Sequence, residues 1–399
     1  MLNYIWLQLV FSSSKANSLL KKFGSAKEVN SAYAEGRIKL SEYSQKRIKF
    51  ATPEYCAKII EQCKRNNIKI VPIGSPDYPY LLSQIPDPPV ALYVQGDVSF
   101  LNSKPCVCIA GPRKATEKGI KAAFSLSSRL AACGFGIISG CADGIDTAAH
   151  LGTVGIGAKS AMILPCGLLH PYRKDKDSLK RRILKNGGCI ISEYPPETED
   201  GRNNFRPRNR LMAGLALASV IPEAGNRSGS LITAGFAAEY GRDVFTVPHR
   251  INDEYHKGSN GLLNDGARPL GNAMDIVGEY VSADVSYAFT KDTDRIISNA
   301  YKSAFDELFP KKAEKSVFHK TTKLKTAKPD ETKKTVAKRA ELSNDALAVY
   351  KAIKQDLFLP DTLDISETDL EKGIFLALFE LERAGYIESA PSGYYKKLP

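Results

Sequence analysis

The 399-residue chain holds one Trp, four Met and five His, and none of its eight Cys stands in a CxxC pair. With no Cys/His cluster at ligand spacing, the sequence offers no zinc site and no metal is expected. Scattered single cysteines suit a reducing cytoplasm. Cys106 and Cys108, two apart in an apparent strand, face one side of it as small core residues. The apolar start, Met1 to Ser14, lacks a basic leader and a clear cleavage site. No run reaches the roughly 18–20 apolar residues that span a bilayer. These absences point to a cytoplasmic protein with no membrane partner. Two nucleotide signatures are missing as well. No G-x-G-x-x-G follows the first strand of the α/β region with an acidic residue about 20 positions on, and there is no G-x-x-x-x-G-K-[ST] loop. No cofactor is expected.

What is present is a basic protein of ordinary core content. Hydrophobic residues make up 43% and charged residues 25%, with a formal net charge of +12, enough for a sizeable core and for attraction to an anionic partner. The charge is unevenly placed. Residues 311–340 hold eleven Lys or Arg against three Asp or Glu, which is +8 of the +12. The remainder is only mildly basic, so local clusters must decide.

Four segments follow one another. Residues 1–67 read as a helical domain, with apolar stripes at Leu7, Val10, Phe11 and at Leu19, Leu20, Phe23, and with Thr52-Pro53 as a cap and first turn. Ser18 to Ser25 loosely resembles a helix-hairpin-helix. Residues 68–280 begin with a strand, Ile68 to Ile73, and a proline-rich lead-in that runs through Val94. From Cys106 to about Val277 strands alternate with helices. The strand candidates are Cys106–Ala110, Phe135–Ser139, Ser160–Leu164, Gly188–Ser192, Ser219–Pro222 and Val244–Val247. Their near-continuous apolar character fits parallel strands buried on both faces, hence an α/β doubly wound, Rossmann-like sheet. Residues 281–342 read as a basic disordered linker. Residues 343–399 read as a small winged-helix-like domain with helices ahead of a hairpin. Its segment 361–383 carries seven acidic side chains and two basic ones, the wrong charge for a DNA-reading helix.

Ligands of such sheets bind beyond the carboxyl ends of the strands. Three turns there are candidates for anion binding: Gly111 to Thr116, Ser139 to Asp146, and Glu223 to Ser230. Each enters a helix and can aim backbone N–H groups at a phosphate. A fourth stretch is Phe205-Arg206-Pro207-Arg208-Asn209-Arg210, with Arg202 just upstream. Pro207 is suited to a helix's first turn, which would set these arginines at an N-terminus beside a flat ring for a base. The plain alternative is a solvated charged loop with Phe205 in the core. Asp143, Asp146, Glu193 and Glu223 could serve as acid/base groups. Asp146 and Glu223 could equally orient loops by accepting backbone N–H groups.

Taken together, these residues closely resemble the DprA (Smf) family of bacterial DNA-processing proteins. The motifs are Tyr78-Pro79, Gly111-x-Arg113, Ser139-Gly-x-Ala-x-Gly-Ile-Asp146 with His150, and Pro165-Cys-Gly167. They continue with Ile191-Ser-Glu-Tyr-Pro-Pro196, Arg208-Asn-Arg210, Ser228-Gly-Ser-Leu-Ile-Thr-Ala234, Gly241-Arg242 and Gly258-Ser-Asn260. The resemblance implies an extended Rossmann-type domain that forms a homodimer, binds single-stranded DNA, helps load the RecA recombinase in natural transformation, and catalyses nothing. With the turns and the arginine stretch, the expected DNA-binding set is Gly111, Arg113, Lys114, Thr116, Ser139, Gly140, Arg202, Phe205, Arg206, Arg208, Asn209, Arg210, Ser228, Gly229 and Ser230. Arg113 would contact phosphate, Phe205 would stack on a base, and Arg202, Arg208 and Arg210 would frame the backbone. The sequence departs from the family at Pro112, at the inserted Arg206, at Arg173 and at His249. The rival reading is a nucleotide-processing enzyme similar to the phosphoribohydrolases, whose Pro-Gly-Gly-x-Gly-Thr turn reads Pro222-Glu-Ala-Gly-Asn-Arg227 here.

Overall fold

The computed structural model describes residues 1–250, 253–281, 285, 288, 290–309, 344–353, 357–358, 378, 381, 386–389 and 395–397. The chain forms two compact units, Met1–Glu314 and Lys315–Pro399.

Among the described residues of the first unit, nine strands make one sheet. They are β1 (Lys69–Pro72), β2 (Ala91–Gly96), β3 (Cys106–Ile109), β4 (Gly136–Ser139), β5 (Ser160–Ile163), β6 (Cys189–Ser192), β7 (Ala218–Ile221), β8 (Asp243–Thr246) and β9 (Arg268–Pro269). Their order is β1-β2-β6-β5-β4-β3-β7-β8-β9. All neighbours from β6 to β9 pair in parallel, while β2 pairs antiparallel with both β6 and β1. Strands β3 to β7 are buried throughout, as a sheet covered by helices on both faces requires. Alternate side chains divide between two cores. Val107 and Ile109 enter one, and Cys106 and Cys108 enter the other, so the paired cysteines are core residues on one face as expected. All eight cysteines are free and buried.

Three elements correct the sequence reading. The proline-rich lead-in ends in β2, where Val90 and Tyr93 pack among the N-terminal helices while Leu92 and Val94 face the sheet's own core. Prolines 86, 88 and 89 lie just ahead of the strand, so it keeps every ladder donor. The expected linker contains a helix, Lys291–Leu308, capped by Thr290 and burying Ile297, Ala304 and Leu308. That spacing of seven and four is a helical stripe, outweighed in the sequence by the polar residues around it. Finally, the helix carrying the arginines starts at Arg202 and runs to Gly214, with Gly201 as its N-cap and Pro207 inside it. Only Arg202 therefore sits at the N-terminus; the other arginines are spread around the helix.

In residues 1–67 the helices Ser13–Phe23, Ala26–Ala34, Glu42–Ile48 and Pro53–Arg65 are each capped by a Ser or Thr hydroxyl that accepts an N–H of the first turn. The second unit contains the helix Asn344–Ala352 and strands β10 (Leu357–Phe358), β11 (Ile387–Ser389) and β12 (Tyr395–Lys397), with β12 between the other two. The basic run 311–339, and nearly all of the acidic helix expected after Ser366, lie outside the described residues.

Candidate nucleic-acid interface

The chain steps outward from β3 through β4 and β5 to β6, then returns to the other side of β3 for β7. Loops leaving β3 and β7 therefore part toward opposite faces and open a crevice at their carboxyl ends. A cleft of about 370 Å³ occupies it, walled by Gly111, Pro112 and Arg113 after β3, by Phe205 to Asn209 of the Arg202–Gly214 helix, and by Ser228 to Ser230 after β7. Backbone contact shapes the first turn. A Cβ on Gly111 would lie 2.3 Å from Ile145, and one on Gly144, at φ +72°, would lie 2.4 Å from the Pro112 carbonyl. Both positions require glycine.

At the mouth, the exposed Arg113 guanidinium lies over the ring of Phe205, 5.2 Å from its centroid. Phe205 is half-buried and packs edge-on against Tyr172 at 6.5 Å, which fixes the plane of its ring. Arg206 is exposed and reaches over Phe236. On the opposite wall the Ser228 and Ser230 hydroxyls are 2.7 Å apart, at the start of the helix Ser230–Glu239. The Ser230, Leu231 and Ile232 N–H groups already donate to the Ser228 hydroxyl and to the Ser228 and Gly229 carbonyls, so this wall offers an anion the helix dipole and the two hydroxyls. The Asn209 side-chain amide donates to the Gly229 carbonyl at 3.4 Å and links the two walls.

The floor is a buried charged assembly. Arg208 is 6% exposed and donates to the Ile163 carbonyl at 2.9 Å. Asp146 accepts the Ala142 N–H at 3.2 Å. Burial raises the Asp146 carboxyl above its ordinary range, against Arg208 and that N–H, which pull it down. Gly140 makes room for both: a Cβ there would lie 2.1 Å from Arg208 Nη1 and 2.4 Å from Asp146 Oδ2. Beneath it, buried His150 places Nε2 2.8 Å from the Gly140 carbonyl and Nδ1 2.8 Å from the Ser160 hydroxyl. A carbonyl only accepts, so Nε2 carries the proton. Burial lowers the imidazole pKa to about 4.

The expected contact residues thus fall into groups. Gly111, Arg113, Phe205, Arg206, Arg208, Asn209, Ser228, Gly229 and Ser230 converge on the cleft. Lys114 is exposed just beyond it and Arg202 is exposed on the first turn of its helix. Four residues are engaged elsewhere. The Ser139 hydroxyl donates to the Ile109 carbonyl at 2.6 Å and is fully buried. The Thr116 hydroxyl donates to Glu223 at 2.5 Å while capping the helix Glu117–Ala132. Gly140 belongs to the Arg208 and Asp146 floor. Arg210 points away from the cleft into a buried pair with Glu193 at 2.5 Å, donating also to the Asp87 carbonyl at 2.9 Å. It lies five residues beyond Phe205, roughly 140° further round the helix.

The four acidic candidates are likewise engaged. Asp143 pairs with Arg173 at 2.6 Å and Lys176 at 2.9 Å. Glu193 holds Arg210, Asp146 holds the Ala142 N–H, and Glu223 accepts the Thr116 N–H at 3.0 Å. The last two are the loop-orienting contacts that the sequence suggested. Met212, Ile232 and Thr233 also line the cleft. Sequence reasoning missed them because apolar residues in helices read as core; the one available signal was their position, one turn past the arginines and the serines.

A model of the DNA recombination-mediator protein A family matches residues 69–281, more than half of the chain. The chain belongs to this family. The DNA recombination-mediator match spans β1 to the helix Met274–Tyr280 and so contains the whole cleft. Among relatives, the chain is 32% identical over 230 residues to the DNA processing protein DprA of Bacillus subtilis, covering 58% of this chain and 77% of that one. It is 36% identical over 207 residues to DprA of Streptococcus pneumoniae, covering 51% and 71%. The solved structure of the S. pneumoniae protein superposes with a TM-score of 0.60 at 28% identity, over 70% of this chain and 99% of that one.

Proposed function

We propose that this protein is a single-stranded DNA-binding recombination mediator of the cytoplasm. In this reading it protects incoming DNA during natural transformation and helps load RecA, as a homodimer joined through the later part of the Rossmann-like domain, without catalysing a reaction. The observation that carries it is the Arg113–Phe205 pair at the mouth of the cleft, opposite the hydroxyls of Ser228 and Ser230. No carboxylate pairs with Arg113 among the described residues, so its guanidinium is free to swing onto a phosphate. That movement uncovers the Phe205 ring for a base. A base inside a duplex cannot reach the ring without unstacking, and every base has a face to stack, so the site selects single strands without reading sequence. Buried Arg208 adds positive potential from below. The experiment is affinity for single- against double-stranded oligonucleotides across a salt series. Single strands are expected to bind more tightly and to weaken steeply with salt. Phe205→Ala is expected to cost about 1–3 kcal/mol and Arg113→Ala to flatten the salt slope. Equal affinity of both variants and wild type would remove this cleft from the DNA path.

A further inference from the structure

Next to this cleft lies a second hollow of about 420 Å³, which shares Pro112 and Ser228 with the first and is otherwise walled by Lys114, Glu223, Gly225, Arg227 and Tyr255. We propose that Tyr255, with Lys114 and Arg227, is a second base-and-phosphate subsite for the same single strand. This rests on the DNA-binding reading of the first cleft and names the next stretch of the strand's path.

Tyr255 is 71% exposed, although it stands on a pinned backbone. The Ser259 N–H donates to the Ala224 carbonyl at 3.0 Å, and the Ala224 N–H donates back to the Ser259 hydroxyl at 2.8 Å. Gly258 approaches the β7 turn so closely that a Cβ would lie 2.4 Å from the Gly225 carbonyl. Beside the tyrosine, buried His256 stacks on His249 with centroids 3.7 Å apart, and His249 Nε2 lies 3.1 Å from the Pro222 carbonyl. A large ring left mostly in solvent on a segment so held contributes little burial to the fold. It is preset as a platform at little entropic cost on binding. Two cations share the hollow with it, while Asp253, which accepts the Tyr255 N–H at 3.0 Å, also lies 2.8 Å from His256 Nδ1. Lys114 and Arg227 are exposed, whereas the Glu223 carboxylate is 2% exposed and turned inward onto Thr116. An exposed aromatic that shares a hollow with two cations, next to the first cleft, suits a base and its flanking phosphates.

The test is fluorescence anisotropy with oligothymidylates of graded length, using the full chain, Tyr255→Ala, Tyr255→Phe, the Lys114→Ala/Arg227→Ala double variant and Phe205→Ala. Wild-type affinity should climb in two stages with length. Tyr255→Ala should bind the shortest productive strand like wild type and lose the second stage, a drop of about 5- to 150-fold on long strands. Tyr255→Phe should keep it. The double variant should lower the salt slope by about 0.7 per cation removed. If Tyr255→Ala matches wild type at every length while Phe205→Ala is weakened, the second subsite is refuted and the first cleft stands. Equal losses in Tyr255→Phe and Tyr255→Ala would refute stacking there. Failure of wild type to bind any single strand would overturn both readings.

Discussion

Arg210 separates what a motif suggests from what the fold does with it. The resemblance places it on the DNA backbone, yet its side chain is 7% exposed and paired with a Glu193 that is 9% exposed. Glu193 Oε1 already lacks a hydrogen-bond partner among the described residues. Arg210→Ala would therefore leave a carboxylate buried with nothing to balance it, at a cost of about 3–5 kcal/mol. That is a large share of the roughly 5–15 kcal/mol that holds a typical domain folded. The loss should depend on pH. Burial already raises the Glu193 pKa, with Arg210 opposing, and without the arginine it rises further. A carboxyl whose folded pKa is raised destabilises the fold above its unfolded value, so the deficit is greatest near neutral pH and shrinks on acidification through the folded pKa. Adding Glu193→Gln should recover part of the stability by removing the charge. The assays are denaturant unfolding at two pH values and strand binding at a temperature where all variants are folded. Binding by folded Arg210→Ala should remain close to wild type. A variant that unfolds like wild type but binds DNA weakly would refute this account and restore Arg210 to the DNA path.

Two further outcomes follow from the floor of the cleft. Gly140→Ala, whose methyl would overlap Arg208 and Asp146, should cost about 1–3 kcal/mol of stability; an unchanged thermal midpoint would mean that the pair is not held where described. His150 is buried neutral with its pKa lowered from 6.5 to about 4. The unfolded chain therefore takes up this proton first, and stability should fall as pH drops from about 6.5 to about 4, by on the order of 3 kcal/mol. In unfolding curves across that window, His150→Gln should start less stable but lose this slope; retention of the full slope would assign it to other groups.

The cleft-lining residues were legible wherever chemistry and local turn geometry coincide. Arg113, Phe205 and the Ser228–Ser230 turn could be marked from glycine, arginine and aromatic placement at strand ends, because a strand-to-helix turn is a local object. The buried apolar strands were legible too, since parallel strands covered on both faces write themselves as apolar runs. Strand β2, apolar on both faces like them, was hidden because prolines 86, 88 and 89 directly ahead of it made the whole stretch read as an extended lead-in.

What the sequence alone determined is the set of elements and the supply of arginine, glycine and aromatic side chains along one rim. Which arginine turns toward the cleft and which turns away into a buried ion pair was decided by tertiary packing. Arg208 and Arg210 are two residues apart on one helix and carry the same charge. One forms the floor of the cleft because Gly140 leaves it space, and the other is drawn into a buried pair because Glu193 and Asp87 arrive there from distant parts of the chain. A buried charge must find its partner in three dimensions, and linear spacing carries no record of which partner that will be.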